Sequence, residues 1–407
     1  MRRVVVTGMA GFSPIGNDWA TIEQALRIGR SGIRRMADWD KYPDLNTRLG
    51  APVEFDRPAN YSRKLVRSMG RVALMSTRAT ELALEDAGLL DDPRIQDGRM
   101  GVSYGSSTGS PDAVADFGNM LLNHASAGIN ANSYLKMMSH TAAVNIGVFF
   151  NLKGRVIPTS SACTSGSQGI GYAYEAIKYG HQELMAAGGA EELCATEAAV
   201  FDTLYATSIR NDEAHLTPRP FDRDRDGLVI GEGACTLILE ERDHALARGA
   251  RIHAEILGFG TNSDGSHVTQ PETETMYQAM ELALRSAALA PDDIGYISAH
   301  GTATERGDIA ESRATHRMFG AGTPISALKS FTGHTLGACG ALEALVAIEM
   351  MNRGWFHGTL NLDNPDTACA PLEHLTGEGR NLKVDCVMSN NFAFGGINTS
   401  LVLSRGT

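Results

Sequence analysis

One cysteine of the sequence lies in a setting that suits a nucleophile. Cys163 falls within TSSACTSGSQGIG, where a short apolar segment gives way to small polar residues and then to a helix pattern. A thiol at a helix N-terminus faces the positive end of the helix dipole, which favours the thiolate. Backbone N–H groups at the same point can bind an oxyanion. We therefore predict a nucleophile, against the alternative of a small buried hydrophobic residue.

Two histidines and a lysine could complete such a site. His300 ends an apolar segment in SAHGTATERGD, and His334 lies in LKSFTGHTLGACGALEA, five residues after Lys329. A single histidine is more often structural than catalytic, but two histidines in glycine- and threonine-rich segments favour a shared function. Neutral imidazoles there can donate hydrogen bonds to a thioester carbonyl and stabilise an enolate.

The elements that would position these residues form a weak internal repeat. The segments ELALEDAGL and ELALRSAAL are both helix patterns followed by a short apolar strand. Residues 156–176 and 325–344 both indicate a strand, a turn of small residues and a helix. Superposing Cys163 on His334 also aligns identical threonines and glycines. We therefore expect both residues to share one pocket near a pseudo-twofold axis.

Duplicated halves predict an α/β protein in which mixed sheets are stacked and separated by helices. We expect residues 1–250 to form the half with the nucleophile, and residues 251–407 to form the half with the histidines and the lysine. The chain has 407 residues, 43% of them hydrophobic, which is enough for a large buried core.

Composition argues against several classes of protein. A net charge of −11 disfavours general nucleic-acid binding, which needs a positive surface. Six cysteines without a CxxC pair or a zinc-type Cys/His cluster predict neither a disulfide framework nor a metal site. The apolar run near the N-terminus is too short for a signal peptide or a membrane span. We expect a cytoplasmic protein.

In its longest motifs the sequence resembles the condensing-enzyme branch of the thiolase-like superfamily, specifically the elongating β-ketoacyl-carrier-protein synthases. The resemblance covers essentially the whole chain and rests on RVVVTGMA, TSSACTSGSQ, RPFDRDRDGLVIGEGA, HGTAT, LKSFTGHTLGACGALEA and NNFAFGGINTS. It implies a thiolase-like fold of five αβαβα layers. It also implies decarboxylative condensation of an acyl group with malonyl-carrier protein, in fatty acid or polyene/polyketide chain elongation.

The resemblance implies a role for each matching residue. Cys163 would hold the acyl chain as a thioester, His300 and His334 would bind the malonyl thioester carbonyl, and Lys329 would organise the site electrostatically. The other matches are an oxyanion hole and gate at Cys163, Phe392 and Phe394, supporting acids at Glu343, Asp308 and Glu311, and contacts to the phosphopantetheine arm at Thr302 and Thr304. Glu343 would be the partner of Lys329. No cofactor would be bound permanently, because substrates arrive on the carrier protein.

Four positions depart from the family's pattern. Glu305 stands where proline is common, Cys235 where glycine is common, and Ala393 and Ile397 replace a glycine and a threonine of the gating loop. None of these changes removes a catalytic group. Ala393 is expected to stiffen the gate, because glycine reaches backbone angles that alanine avoids.

Residues 60–71 concentrate positive charge in an acidic protein. Arg63, Lys64, Arg67 and Arg71 are spaced as one face of a helix. On charge pattern alone, an ordinary solvated helix face is the alternative. The resemblance places the docking patch for an acidic carrier protein at matching positions, so we predict docking at Arg63, Lys64 and Arg67.

Two other functions are alternatives to the condensing enzyme. A thiolase-type, non-decarboxylating acyltransferase would need a second cysteine in the C-terminal glycine-rich loop, and NNFAFGGINTS contains none. A non-catalytic partner subunit would lack the nucleophile. The active chain is expected to be a homodimer or to pair with a chain-length-factor-like subunit. Its fine pattern is also similar to ketosynthases of aryl polyene synthesis.

Overall fold

The computed structural model describes residues 1–406, which contain sixteen strands and thirteen α-helices. The strands are β1 (Val4–Phe12), β2 (Arg34–Arg35), β3 (Leu49–Ala51), β4 (Met100–Gly105), β5 (Val156–Thr159), β6 (Leu184–Glu191), β7 (Ile230–Gly231), β8 (Gly233–Glu241), β9 (Ala254–Ser263), β10 (Tyr296–Ser298), β11 (Pro324–Ser326), β12 (Trp355–Phe356), β13 (Glu373–His374), β14 (Arg380–Asn381), β15 (Cys386–Ala393) and β16 (Ile397–Arg405). The helices are α1 (Trp19–Arg27), α2 (Arg63–Val66), α3 (Arg71–Asp86), α4 (Pro111–Asn123), α5 (Ala131–Met137), α6 (Thr141–Phe149), α7 (Ser165–Lys178), α8 (Ala195–Asp202), α9 (Arg242–Ala247), α10 (Thr273–Ala287), α11 (Glu305–Phe319), α12 (Lys329–Thr332) and α13 (Cys339–Arg353).

The main sheet is built from two matching halves. Its strand order is β13-β11-β10-β15-β16-β9-β1-β8-β6-β4-β5. Read outward from the antiparallel contact between β1 and β9, the orders β1-β8-β6-β4-β5 and β9-β16-β15-β10-β11 correspond strand by strand. Parallel pairs such as β4–β5 and antiparallel pairs such as β6–β8 occur together, so the sheet is mixed. The topology confirms the predicted duplication.

Helices cover both faces of each half. α7 and α13 pack against each other and contact strands of both halves, so they form the central layer. α3 and α6 cover the outer face of the first half, and α10, with α11 packed on it, covers the second. A sheet covered on both faces needs apolar residues throughout, and all eight residues of β6 are buried. The result is the predicted five-layered αβαβα arrangement.

The two central helices are close because small residues lie at their contact. A methyl group on Gly166 of α7 would lie 2.8 Å from the carbonyl oxygen of Gly337. A methyl group on Gly340 of α13 would lie 2.8 Å from the backbone nitrogen of Ser167. Both distances are shorter than a van der Waals contact, so a larger residue on either helix would push the layers apart.

The halves match in a different register from the one read in the sequence. Ala162 and Leu336 both have left-handed backbone angles, with φ of 50° and 46°, and each begins a one-turn 3-10 helix. α7 and α13 then start three residues after these positions. Cys163 therefore corresponds to Gly337, and its superposition on His334 was wrong by three residues. Glycine- and threonine-rich segments align by chance at several offsets, whereas two residues with the same left-handed backbone angles define a single alignment.

The connection between the halves runs from the end of α9 at Ala247 to the start of β9 at Ala254. The division between residues 250 and 251 remains a prediction. Among the described residues, no helix combines the length and the apolar character that a bilayer crossing needs.

We expect Gly166→Ala to destabilise the protein by about 1–3 kcal/mol, because its methyl group meets the backbone of α13. Gly118→Ala in α4 is the matched control, since a methyl group there would have nothing within 4 Å. Removing a helical glycine at such a position should stabilise by about 0.5–1 kcal/mol. Urea unfolding measures both changes. Equal effects of the two substitutions would contradict the close packing.

Candidate active site

The turn between β5 and α7 presents the Cys163 side chain to the interior. Cys163 lies in the 3-10 helix Ala162–Thr164, immediately after the left-handed residue Ala162. Its thiol is buried in an apolar cluster that also contains Ala195 and Ala198 of α8. The backbone N–H groups of Phe394 and of Cys163 itself both face the sulfur. Two amide donors at one sulfur form a site that could hold an oxyanion next to the thiol.

His334 is the nearest polar side chain to this thiol. Its Nε2 lies 3.0 Å from Cys163 Sγ. The backbone N–H of Leu336 donates to its Nδ1 over 3.1 Å, so Nδ1 has no proton and Nε2 carries one. The main chain is fixed as well, because His334 N–H donates to the carbonyl of Val229 over 2.7 Å. The ring is thus oriented to donate toward the sulfur.

His300 follows β10 and has the same tautomer for a different reason. The ammonium group of Lys329 lies 3.0 Å from His300 Nδ1 and donates to it, which leaves the proton on Nε2. That Nε2 is buried and has no hydrogen-bond partner among residues 1–406. The two imidazole rings meet edge to face with their centroids 5.2 Å apart.

Both imidazoles are held neutral. Burial, and then the positive charge of Lys329, lower the pKa of His300 and of His334 well below the usual value for histidine. Neutral rings with protonated Nε2 atoms are hydrogen-bond donors that carry no charge of their own. They suit a negative charge that develops on a substrate oxygen.

Lys329 forms a fully buried ion pair with Glu343. Its ammonium lies 2.5 Å from Glu343 Oε1, and both side chains are 1% exposed. The side-chain amide of Asn391 donates to the other carboxylate oxygen of Glu343 over 2.6 Å. Burial acts to lower the pKa of Lys329, but Cys339 and Glu343 more than offset it, so the pKa is raised. Lys329 therefore stays charged next to His300.

Two buried carboxyl groups hold the loop that carries His300. Glu311 accepts from the backbone N–H groups of His300 and Gly301 over 2.7 and 2.8 Å. Asp308 accepts from the N–H groups of Thr302 and Ala303 over 3.1 and 3.2 Å. Burial raises the pKa of Glu311 to about 8 and that of Asp308 to about 6. Both residues affect the site by holding this loop in place rather than by acting on the thiol of Cys163.

A cavity of about 500 Å³ connects these groups to the surface. Its lining includes the thiol, both imidazoles and both threonines proposed for the substrate arm, namely Cys163, His300, His334, Thr302 and Thr304. The hydroxyl groups of the two threonines lie 2.8 Å apart. Lys329 and Glu343 lie behind the cavity wall.

The gate residues lie at the turn between β15 and β16. Phe392 is buried near the His300 ring, and the Phe394 ring packs edge-on against Phe201 at 5.7 Å. Left-handed backbone angles occur at Gly395 and Gly396, with φ of 92° and 75°. Ala393 is the last residue of β15 and does not have a left-handed φ, so the alanine itself meets no backbone conflict there.

Burial outweighs the effect of the helix N-terminus on the thiol of Cys163. Burial raises the pKa of this thiol above its ordinary value, although the Phe394 N–H, Lys329 and its own N–H each lower it. Glu191 raises it further. Desolvation exceeds the effect of nearby donors because the sulfur is only slightly exposed.

The predicted basic face is smaller than the sequence suggested. α2 spans only Arg63–Val66, and Arg63, Lys64 and Arg67 are exposed. Arg71 begins the next helix, and its guanidinium binds Glu232 at 2.8 Å and the carbonyl of Val53 at 2.9 Å. The inclusion of Arg71 in this face was therefore wrong, because its guanidinium is paired with the buried carboxylate of Glu232.

Several supporting residues were not predicted from the sequence. Asn391 completes the Lys329–Glu343 pair, and Cys339 donates from its thiol to the carbonyl of Cys163 over 3.2 Å. The carboxyl group of Glu191 accepts from Gly337 N–H over 3.1 Å and from Ser106 over 2.8 Å. Cys339 and Asn391 lie inside LKSFTGHTLGACGALEA and NNFAFGGINTS, but nothing in a single sequence marks them or Glu191 as members of the site.

Cys163, His300 and His334 bring three possible metal ligands within 4.8 Å of one another. Both imidazoles, however, accept hydrogen bonds at Nδ1, so their Nε2 atoms are donors. The arrangement fits an oxyanion better than a cation.

Comparison with known proteins places the chain in a family. Residues 1–245 match the model of the β-ketoacyl synthase N-terminal domain, and residues 253–363 match that of the C-terminal domain. The chain belongs to the β-ketoacyl synthase family. It is 37% identical over 412 residues to 3-oxoacyl-[acyl-carrier-protein] synthase 2 of Coxiella burnetii, covering 99% of both chains. It is 36% identical over 410 residues to synthase 1 of Escherichia coli K12, covering 100% of this chain and 99% of that one.

Solved structures of family members agree over the whole chain. A β-ketoacyl synthase from Burkholderia phymatum STM815 is 60% identical, with a TM-score of 0.99 and full coverage of both chains. Another similar structure is that of the ketosynthase ApeO in complex with its chain length factor ApeC from Xenorhabdus doucetiae. It shows 27% identity and a TM-score of 0.82, covering 100% of this chain and 98% of that one. The family accordingly has the fold predicted from the sequence.

We expect the rate of Cys163 alkylation by iodoacetamide to rise with pH and to keep rising above pH 8. Only the thiolate reacts, and its fraction increases about tenfold per pH unit below a raised pKa. Intact mass measured against time gives the rate, with Cys163→Ala as the control for other thiols. A plateau below pH 8 would contradict the effect of burial.

Lys329→Met should destabilise the protein by about 3 kcal/mol, because it leaves Glu343 buried without its counter-charge. The double variant Lys329→Met/Glu343→Gln should recover at least half of that loss, since it removes the isolated carboxylate. Urea unfolding of the two variants tests the pair. A double variant as unstable as the single one would show that Glu343 is not the group left uncompensated.

Proposed function

We propose that the protein is a β-ketoacyl-acyl-carrier-protein synthase that joins an acyl group on Cys163 to the two-carbon unit of malonyl-carrier protein. One observation carries this proposal. A single cavity holds a thiol with two amide donors and two neutral imidazoles. The Nε2–H of His334 faces that thiol, and the Nε2–H of His300 has no hydrogen-bond partner among residues 1–406. Such a site offers one nucleophile and two separate places for an oxyanion.

The first half-reaction transfers the acyl chain. The Cys163 thiolate attacks the carbonyl carbon of the acyl thioester, and the resulting oxyanion binds the N–H groups of Cys163 and Phe394. The carbon–sulfur bond to the carrier's pantetheine breaks, and that sulfur leaves as a thiol with the proton from Cys163. His334 Nε2–H, 3.0 Å from the sulfur, stabilises the thiolate before attack.

The second half-reaction removes carbon dioxide. The carbonyl oxygen of the malonyl thioester accepts from His300 and His334, which are neutral and oriented by Lys329 and by Leu336 N–H. The bond to the carboxylate breaks, its electron pair forms the enolate, and carbon dioxide leaves. The enolate carbon then attacks the acyl-Cys163 carbonyl. Collapse of the tetrahedral oxyanion expels the sulfur of Cys163 as a thiolate, which takes up one proton from solvent, and releases the β-ketoacyl product.

The thiolase-type alternative is less well supported. Cys339 is the other cysteine next to the site, but it does not line the cavity. Burial raises the pKa of its thiol well above the ordinary value, so it is poorly suited to remove a proton. Decarboxylation makes such a base unnecessary, because loss of carbon dioxide generates the enolate.

The carrier protein and a second subunit complete the proposal. We infer that the acidic carrier docks on the exposed residues Arg63, Lys64 and Arg67. Since all four catalytic positions are occupied, this chain would be the active subunit of a homodimer, or of a heterodimer like the ketosynthase/chain length factor pairs among the solved structures. Light scattering of the purified chain alone distinguishes the two assemblies.

The type of acyl chain is the remaining variable. The proposal covers chain elongation in fatty acid synthesis and in polyene or polyketide synthesis, aryl polyenes included. The intact mass of the acyl-enzyme after exposure to saturated, polyunsaturated and aryl-acyl carrier proteins measures which chains Cys163 accepts.

Cys163→Ala should abolish formation of β-ketoacyl product from acyl- and malonyl-carrier protein, because no thioester can form. With malonyl labelled at its free carboxyl group, the unmodified enzyme should release one labelled carbon dioxide per product. Cys194→Ala, a change at a cysteine outside the cavity, is the control. Product from the Cys163→Ala variant, or label retained in the product, would refute the mechanism.

A further inference from the structure

Arg306 is a basic side chain of the cavity wall whose charge is not neutralised by another residue of the described chain. It is the second residue of α11, it is exposed, and it lines the same cavity as Cys163. Among residues 1–406, its guanidinium has neither an ion-pair partner nor a side-chain hydrogen bond. An unpaired arginine at the entrance of a deep site can bind an anionic part of whatever enters.

The other arginine of the cavity wall cannot take this part. Arg225 donates to Asp366 over 2.7 Å, to the carbonyl of Asp222 over 2.7 Å and to the carbonyl of Glu305 over 3.2 Å. Its Nε also lies 3.7 Å from the buried carboxylate of Asp308. Arg225 is committed to the protein's own acceptors, so its charge is compensated before a substrate arrives.

The remaining charged groups of the entrance are acidic. Asp226 accepts from Ser208 and is paired with Arg210 at 3.5 Å, whereas Asp264 accepts from Asn398, and both carboxylates line the cavity. Glu305, the exposed neighbour of Arg306, adds a third. Asp264 and Glu305, which have no ion-pair partner among residues 1–406, would therefore repel an entering anion unless one cation faced it.

We propose that Arg306 binds the phosphate of the phosphopantetheine arm and so positions the thioester over Cys163. This inference rests on the function proposed above, which brings a phosphate to this entrance at every turnover. Arginine binds phosphate oxygens through paired N–H groups, which fixes the direction of the arm as well as its depth. Arg306 is a positioning residue, because it touches the arm and not the reacting atoms.

Three malonyl thioesters separate the phosphate from the carrier protein. Malonyl-carrier protein has both, malonyl-phosphopantetheine has the phosphate alone, and malonyl-pantetheine has neither. Arg306→Ala should raise KM about 5-fold for the first two, as expected for one exposed charge pair. It should leave KM for malonyl-pantetheine and kcat for all three unchanged.

Two further variants sharpen the test. Arg306→Lys keeps the charge but not the paired N–H groups and should restore part of the loss, whereas Arg313→Ala removes an exposed arginine of the same helix outside the cavity and should change nothing. Raising the salt to 0.5 M should shrink the difference between Arg306→Ala and the unmodified enzyme, because salt screens exposed charges.

The outcomes are distinct. An effect of Arg306→Ala on the carrier substrate alone would mean that the residue contacts the carrier protein, and equal effects on all three thioesters would mean a structural role. Either result, or no effect at all, overturns the proposal for Arg306 and leaves the condensation intact. If the unmodified enzyme forms no β-ketoacyl product from any of the three, the proposed function fails, and the role of Arg306 with it.

Discussion

The buried ion pair between Lys329 and Glu343 is the interaction on which the site depends. A lysine that is 1% exposed keeps its charge because Cys339 and the Glu343 carboxylate, 2.5 Å away, offset the effect of its burial. That charge fixes the proton of His300 on Nε2 and helps keep both imidazoles neutral. The pair therefore determines which atom of His300 donates, as Leu336 N–H does for His334.

The positions of the chemical groups could be predicted because local sequence carries them. A strand, a turn of small residues and a helix can be recognised from a single segment, and Cys163 lies at such a turn. The repeat then indicated that the second turn lies close to the first. What it could not supply was the register, since Ala162 and Leu336 share a backbone conformation and not a residue type.

The features that were missed or wrong arise from distant parts of the chain. Glu232 captures Arg71 from 161 residues away, and Asn391 reaches Glu343 across 48 residues. The raised pKa of Cys163 likewise comes from all the layers that bury it, which exceed the local benefit of a helix N-terminus. Charge spacing along one segment describes what a helix face could present. It does not describe which distant carboxylate removes a charge from that face.

The correspondence of Cys163 with Gly337 explains why two similar halves make one reactive centre. Each half offers an amide at the same turn, but the amide of Gly337 already donates to the carboxyl group of Glu191. The carboxylate of Glu191 thus occupies the second anion-binding turn. Only the turn at Cys163 stays open to an incoming oxyanion, while the other half has become the scaffold that delivers the histidines. The two halves thus form one enclosure, in which only one of the two equivalent turns can bind a substrate oxyanion.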